Sequence, residues 1–277
     1  MWEHPATQAN LETLKQRGIL FTGPNEGAMA CGEFGPGRMA EPAEILAAIE
    51  TALAASSRLA GRRVLVTSGP THEAIDPVRY IANRSSGKQG HAIARALAGL
   101  GAETHLVTGP VALPDPPGVS VTHVESAEEM LAACRALLPV EAAVCAAAVA
   151  DWKVESRAGE KLKKDGGAAP ALVLAPNPDI LASLSEAGNQ RPSLVVGFAA
   201  ETQSLIENAK AKLARKGCDW ILANDVAPAS GTFGGEENEI HLVSAQGVED
   251  WPRMSKEAVA RRLAERIADH FEGGKAA

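Results

Sequence analysis

Cysteine is sparse in this 277-residue chain, and its four positions, Cys31, Cys134, Cys145 and Cys218, never fall into a Cys-x-x-Cys pair. No histidine-rich segment accompanies them, so neither a structural zinc site nor a disulfide framework is expected. Cys134, Cys145 and Cys218 read as ordinary buried or free thiols. Tyrosine is scarcer still: Tyr80 is the only one, and four residues later stands Arg84, not a lysine. A Tyr-x-x-x-Lys reductase pair is therefore missing. So is the Gly-x-Gly-x-x-Gly fingerprint of a dinucleotide fold, because Thr67-Ser68-Gly69-Pro70-Thr71 follows the first strand and no helix starts until about Gly87. Long apolar runs are absent too. The least polar stretch, 142–150, is far too short to cross a bilayer, and Met1-Trp2-Glu3-His4-Pro5 has no basic start of a signal peptide. No membrane is expected as a partner, and the cytoplasm is the expected location. Positive charge is in deficit, 27 Lys and Arg against 34 Asp and Glu for a net −7. That speaks against a broad nucleic-acid-binding face, though it leaves room for a local phosphate pocket.

With 45% hydrophobic residues, a chain of this length buries a sizeable core unaided. Residues 1–40 are punctuated by Gly and Pro, so little regular structure is expected there. Residues 42–56 read as one amphipathic helix and 57–62 as a linker. From Arg63 onward, short apolar runs at 64–67, 103–108, 119–124, 143–150, 193–199 and 220–223 alternate with helical stretches near 88–100, 127–138, 178–187, 204–217 and 255–271. That rhythm predicts βαβ units: an α/β, Rossmann-like fold with a mostly parallel sheet and helices on both faces. Ser126-Ala127-Glu128-Glu129 is a capping box that fixes one helix start. Residues 238–244 alternate polar and apolar, predicting a late antiparallel or edge strand. In such sheets ligands bind beyond the C-terminal strand ends, which points to the segments after Thr67, Ala150, Phe198 and Ala223.

Three of those segments carry chemistry. Asn83-Arg84-Ser85-Ser86-Gly87-Lys88 offers backbone N–H groups at a helix start, two hydroxyls and two cations, the makings of an anion cradle. An ordinary serine cap with solvated Arg and Lys reads equally well. Ala146-Ala147-Ala148-Val149-Ala150-Asp151 puts small residues and one carboxylate at a strand end, where a flat ligand can approach the backbone. The run Lys161-Leu162-Lys163-Lys164 then reads either as a polyphosphate-binding loop or as a solvated basic one. Asn177-Pro178-Asp179-Ile180 opens a helix, with Pro178 suited to its first turn. Phe198 ends a strand, as a base-stacking ring or a core aromatic. Lys212 and Lys216 share one helix face four residues apart, aimed at a phosphate or at solvent.

Taken together, these strings resemble the phosphopantothenate–cysteine ligase family, usually the C-terminal half of a bifunctional bacterial coenzyme A flavoprotein. The resemblance runs through Thr67-Ser68-Gly69-Pro70-Thr71, the stretch from Asp76 to Lys88, Ala147 to Trp152, Lys161 to Lys164, Asn177 to Ile180, Gly197 to Thr202 and Asn224-Asp225-Val226, in the family's order. It implies a ligase domain over 63–277 that joins 4′-phosphopantothenate to L-cysteine with CTP and Mg²⁺ through an acyl-cytidylate. It implies catalytic roles for Lys161 and Asn83. It implies nucleotide contacts from Cys145, Ala146, Ala147, Asp151, Lys161, Pro178, Asp179, Ile180, Leu181, Phe198, Lys212 and Lys216. Asn83, Ser85, Ser86, Gly87 and Lys88 would hold phosphopantothenate, with no magnesium ligand assignable. It also implies a homodimer, with 231–244 as a candidate interface. Residues 1–56 resemble the end of the neighbouring flavoprotein decarboxylase, Cys31 standing in its substrate flap. The decarboxylase's upstream asparagine, histidine and flavin strands have no counterpart here, so FMN and decarboxylation are expected only of a full-length bifunctional protein. The competing readings are an NAD(P)-dependent reductase of short-chain type and a non-catalytic scaffold for a flavoprotein.

Overall fold

A computed structural model of the chain describes residues 2–28, 34–55, 57–163, 171–201, 204–225 and 237–273. Two compact units divide it, Met1–Ser57 and Arg58–Ala277.

The first unit comprises α1 (Pro5–Gln16), β1 (Asn25–Ala28), β2 (Phe34–Arg38) and α2 (Pro42–Ala55). The glycine-rich start thus holds more regular structure than expected. Pro5 stands in the first turn of α1, and His4 Nδ1 accepts the Ala6 amide at 3.2 Å, so a helix begins where punctuation suggested a loop. β1 and β2 pair antiparallel with Gly27 opposite Gly35, showing that glycine weakens a strand without forbidding it. Cys31 lies outside the described residues.

The second unit continues with β3 (Arg63–Ser68), β4 (His72–Ala74), β5 (Tyr80–Ala82), α3 (Lys88–Gly99), β6 (Glu103–Thr108), β7 (Ser120–His123), α4 (Ala127–Ala136) and β8 (Ala142–Cys145). Then come β9 (Trp152–Val154), β10 (Leu174–Pro176), α5 (Ile180–Ser185), β11 (Leu194–Glu201), α6 (Leu205–Lys216), β12 (Trp220–Asp225), β13 (Glu237–Ser244), β14 (Gly247–Ser255) and α7 (Lys256–Gly273). The segment read as a linker is, from Arg58 on, fastened to this unit. Leu59 is fully buried and its amide bonds to Leu100 O, while Arg58 pairs with Asp269 and Glu272.

Eight strands form one sheet in the order β14-β13-β12-β11-β8-β3-β6-β7, parallel from β7 to β12 and antiparallel for β13 and β14. Period-2 alternation divides the core. Val64, Val66, Val144, Leu194, Val196 and Leu222 face α3 and α7, whereas Leu65, Ala143, Val195 and Ile221 face α4, α5 and α6. The mostly parallel sheet with helices on both faces is as expected. The late strand 238–244 is present and antiparallel, but it is not the edge. β14 covers it, carrying Pro252, a residue that belongs on an edge strand. That proline, amid charged neighbours, hid β14 from the sequence reading.

One boundary shapes the site. The strand expected over 143–150 ends at Cys145. Past that point the chain leaves β11 and follows the continuation of β3, with Ala146 N bonded to Thr67 O, Ala148 N to Gly69 O and Ala150 N to Thr71 Oγ1. A crevice therefore opens between 146–150 and the end of β11. It lies beside the strand pair β3/β8 where the sheet order reverses, the position at which open α/β sheets take ligands.

Candidate functional site

That crevice is a cleft of roughly 1270 Å³. Its walls include Asn83, Ser85, Ser86, Gly87 and Lys88 from the start of α3, and Cys145, Ala146, Ala147 and Asp151 from the loop after β8. Pro178, Asp179, Ile180, Leu181, Phe198, Lys212 and Lys216, also expected from sequence, line it as well. Residues from five separate segments thus converge. Lys161 does not join them in the described structure: its side chain is exposed and it is not part of this wall. Lys164 lies outside the described residues.

The α3 start, read from sequence as an anion cradle, lies on this wall, and there Ser85 Oγ accepts the Gly87 N–H at 3.2 Å. Gly87 caps the helix in the left-handed region at φ 72°, which a side chain would strain. Its carbonyl is held from behind by Ser68 Oγ at 3.0 Å. His91 Nδ1 lies 3.0 Å from that hydroxyl and 3.1 Å from the carbonyl. Burial draws the His91 imidazole below its ordinary pKa, against the raising effect of the Gly87 carbonyl, so the ring stays neutral behind the cradle. Neither Ser68 nor His91 was anticipated, because a buried hydroxyl on a strand carries no sequence signal of its own.

The opposite end is cationic and partly neutralised. Asp179, not Pro178, caps α5, accepting Ala182 N at 3.0 Å; Pro178 sits one residue before the cap. The other Asp179 oxygen meets Lys216, and Lys212 Nζ donates to Phe198 O at 2.7 Å. Burial raises the Asp179 carboxyl, yet the Ala182 amide and the Lys216 ammonium outweigh it and hold the pKa below its usual value. Cys145 is half-buried on the wall, and its desolvated thiol is pushed well above the ordinary range. Burial likewise pushes Cys134 up to about 12 and Cys218 to about 11. These three are protonated packing thiols, not nucleophiles.

Between the two ends, Asn83 donates its Nδ2–H to Val149 O at 2.8 Å, and Asn177 donates likewise to Ala150 O at 2.8 Å. Each amide is thereby oriented with its carbonyl oxygen left over, and the Asn177 oxygen is buried without a partner. Gln89, Asn224, Asn238 and Lys256 also line the cleft. They come from α3, β12, β13 and the start of α7, far apart in sequence and without a shared motif.

The Lys161 loop has its own anchor. Buried Asp76, in the turn between β4 and β5, accepts Val78 N, Arg79 N, the Arg79 guanidinium and Leu162 N. The guanidinium beside it, more than the three amides, holds its carboxyl well below the usual carboxylate range despite burial. One carboxylate therefore ties the β4–β5 turn to the residue next to Lys161. Among the described residues no group of three His, Cys, Asp or Glu side chains is placed to hold a metal ion. No described helix is long and apolar enough to cross a membrane.

Comparison with known proteins places the chain in a family. Residues 59–271 match the family model described as the DNA/pantothenate metabolism flavoprotein C-terminal domain, and residues 1–54 match the flavoprotein model. The chain is 45% identical over 262 residues to the coenzyme A biosynthesis bifunctional protein CoaBC of Vibrio cholerae, covering 94% of this chain and 65% of the relative. It is 41% identical over 275 residues to the protein of the same name in Escherichia coli, covering 98% of this chain and 68% of the relative. The chain therefore spans about two thirds of the length of these relatives. The crystal structure of the C-terminal domain of a CoaBC protein matches 78% of this chain and 99% of its own, with a TM-score of 0.66 at 36% identity. The chain belongs to the DNA/pantothenate metabolism flavoprotein C-terminal domain family.

Proposed function

We propose that this chain is a CTP-dependent phosphopantothenate–cysteine ligase acting in coenzyme A synthesis. The observation that carries the reading is a single cleft with an anion cradle at one end and a lysine pair at the other. Two reactants of like charge need such an arrangement. A carboxylate is a poor electrophile, so it must first be activated by attack on the α-phosphorus of CTP, releasing pyrophosphate. The amine of L-cysteine then displaces CMP to form the amide. Bringing an anionic acid to an anionic triphosphate makes positioning and charge neutralisation the main tasks.

In this reading the triphosphate lies towards Lys212 and Lys216, and cytidine lies against Cys145 to Ala147, Asp151 and Phe198. The small side chains at 146–148 let a flat base reach the backbone. The phosphate of phosphopantothenate takes the backbone N–H groups and hydroxyls of Ser85 to Lys88. Asn83 stands between the two and presents its amide to the acyl group. Mg²⁺ fits as a guest of the triphosphate: among the described residues the cleft offers the scattered carboxylates of Asp151 and Asp179 alone, in keeping with an ion that keeps waters and phosphate oxygens as ligands. It would screen the phosphate charge.

The reading is tested by pyrophosphate release, which should require CTP and phosphopantothenate together. Release with neither, or with CTP alone, would refute it. A second expected outcome concerns Asn83→Asp. It should still release pyrophosphate but make the amide about 100-fold or more slowly, the loss typical of one preorganised polar contact to a reacting acyl group. Wild-type product yield from that variant would remove Asn83 from the chemistry.

We also propose a homodimer through the ligase unit. Residues 231–236 of the segment expected at its interface lie outside the described residues, and β13, its remainder, has both edges paired within the sheet. Within the ligase unit, exposed apolar surface gathers instead on and beside the strand pairs β4–β5 and β9–β10, where Val78, Tyr80, Trp152 and Val173 are each more than half exposed. Such a patch marks an interaction surface. Val173→Glu should therefore convert a dimer into a monomer in light scattering. An unchanged mass would move the interface elsewhere.

A further inference from the structure

Among the described residues the cleft lining holds three buried amide oxygens without a partner, that of Asn177 and two more on the side built by α3 and β13. Gln89, the second residue of α3, donates its Nε2–H to the main-chain oxygen of Lys256 at 3.1 Å. That bond fixes which end of the amide is which. Oε1 is the acceptor, and it is buried without a partner. Asn238, on β13, is 4% exposed, and its Oδ1 is likewise buried and unpartnered. Both side chains line the cleft together with Lys256. The register opposes Asn224 to Ile240, so residues 224, 238 and 240 share the sheet face that carries α3 and α7. An unpaired buried acceptor weakens the folded chain, and native proteins keep few of them. Two on one wall of one cleft call for donors brought by a ligand.

The chemistry of those donors follows from the neighbours. Gln89 directly follows the Ser85–Lys88 cradle, so a ligand whose phosphate rests there meets Gln89 next. Phosphopantothenate carries two hydrogen-bond donors between its phosphate and its carboxylate: a secondary hydroxyl, then an amide N–H. We propose that Gln89 Oε1 accepts the hydroxyl and Asn238 Oδ1 the amide N–H, making these two residues specificity determinants for the pantoyl chain. The inference rests on the ligase reading and deepens it. The acceptors are neutral carbonyls, so they hold a polar chain without adding to the negative charge already crowding the cleft. They also set the register of the extended substrate, and hence where its carboxylate stands relative to the nucleotide.

The test uses Gln89→Met and Asn238→Leu in the whole chain, with initial rates of pyrophosphate release. KM for phosphopantothenate should rise about 10-fold or more in each variant, the usual loss for a buried hydrogen bond left unmade. KM for CTP should stay within about twofold of wild type, because the nucleotide side is untouched. Asn238→Leu should melt no lower than wild type, since it removes an unsatisfied buried group. A purely structural asparagine would show the opposite. Phosphopantothenate methylated at its amide nitrogen should bind wild type more weakly by the same factor and lose nothing further in Asn238→Leu. An unchanged KM for phosphopantothenate in both variants overturns the proposal. So does a rise confined to the KM for L-cysteine, which would give the acceptors to the amine instead. Wild-type protein that releases no pyrophosphate with CTP and phosphopantothenate would mark the failure of the ligase reading itself.

Discussion

Lys161→Gln is expected to abolish acyl-cytidylate formation, lowering single-turnover pyrophosphate release by about 1000-fold or more while leaving the melting temperature unchanged. The two halves of that expectation have separate causes. The Lys161 side chain is exposed, and surface substitutions away from packed contacts rarely change stability by more than about 0.5 kcal/mol. The transition state is another matter. A pentacoordinate α-phosphorus attacked by a carboxylate concentrates negative charge, and a cation placed against it is worth about 3–4 kcal/mol or more. Lys212 and Lys216 cannot supply all of it, because Lys216 is already committed to Asp179 and Lys212 to the Phe198 carbonyl. Leu162, the neighbour of Lys161, is bonded to Asp76 in a turn that the same carboxylate closes. The loop is thus held at its base with its lysine beside that anchor. Normal pyrophosphate release from the variant would take Lys161 out of the reaction.

Much of this site is legible along the chain because the fold places its ligands by rule. Alternating apolar runs define strands, strands define a sheet, and the crevice falls at the strand ends where the order reverses. Residues in contiguous strings, such as Asn83 to Lys88 and Ala146 to Asp151, are visible on that basis. What escapes is whatever depends on one element approaching another. Gln89, Asn238 and Lys256 belong to three elements, and only the packing of α3 and α7 on the β13 side of the sheet brings them together. The Ser68–His91 pair escapes for the same reason, since a histidine one turn into a helix reads as a surface residue until the strand beneath it is known. Lys161 is the converse case. Its string is plain, yet spacing alone says nothing about whether a loop faces the cleft.

Two carboxamides on the wall, Asn83 and Asn177, are anchored to successive carbonyls, Val149 and Ala150. A third, Gln89, is anchored to Lys256 O. Each gives one of its two amide N–H groups to the backbone, which fixes which end is the oxygen and leaves that oxygen as an acceptor. The cleft therefore combines lysines and the backbone of a helix start with neutral carbonyl acceptors. A dinucleotide reductase needs the first kind of group at a tight strand–helix turn, and here that turn is replaced by the β4–β5 hairpin. A scaffold needs neither kind.

Gly109→Ala is expected to cost about 3 kcal/mol or more and to lower the melting temperature by about 6–12 °C. Gly109 follows the last residue of β6, and its amide bonds to Ser68 O at 3.0 Å. A Cβ there would lie 1.6 Å from Pro70 O and 2.8 Å from Pro70 C. Both obstructing atoms are backbone, so no rotamer change can relieve the clash, and the ends of β3 and β6 must part. The displacement cannot stay local. Pro70 bridges to Ala148, and Ala148 N bonds to Gly69 O at 2.8 Å. That residue belongs to the cleft wall proposed to receive the base, so folded Gly109→Ala protein should also show a raised KM for CTP. Gly99→Ala is the matching control: it lies in α3 with nothing within 4 Å of the added carbon, and alanine is the better helix former. It should leave stability unchanged or slightly improved. A Gly109→Ala melting temperature within about 2 °C of the control would show that the two strand ends slide apart at no cost, and the close backbone approach would then not be what seats the 146–150 wall.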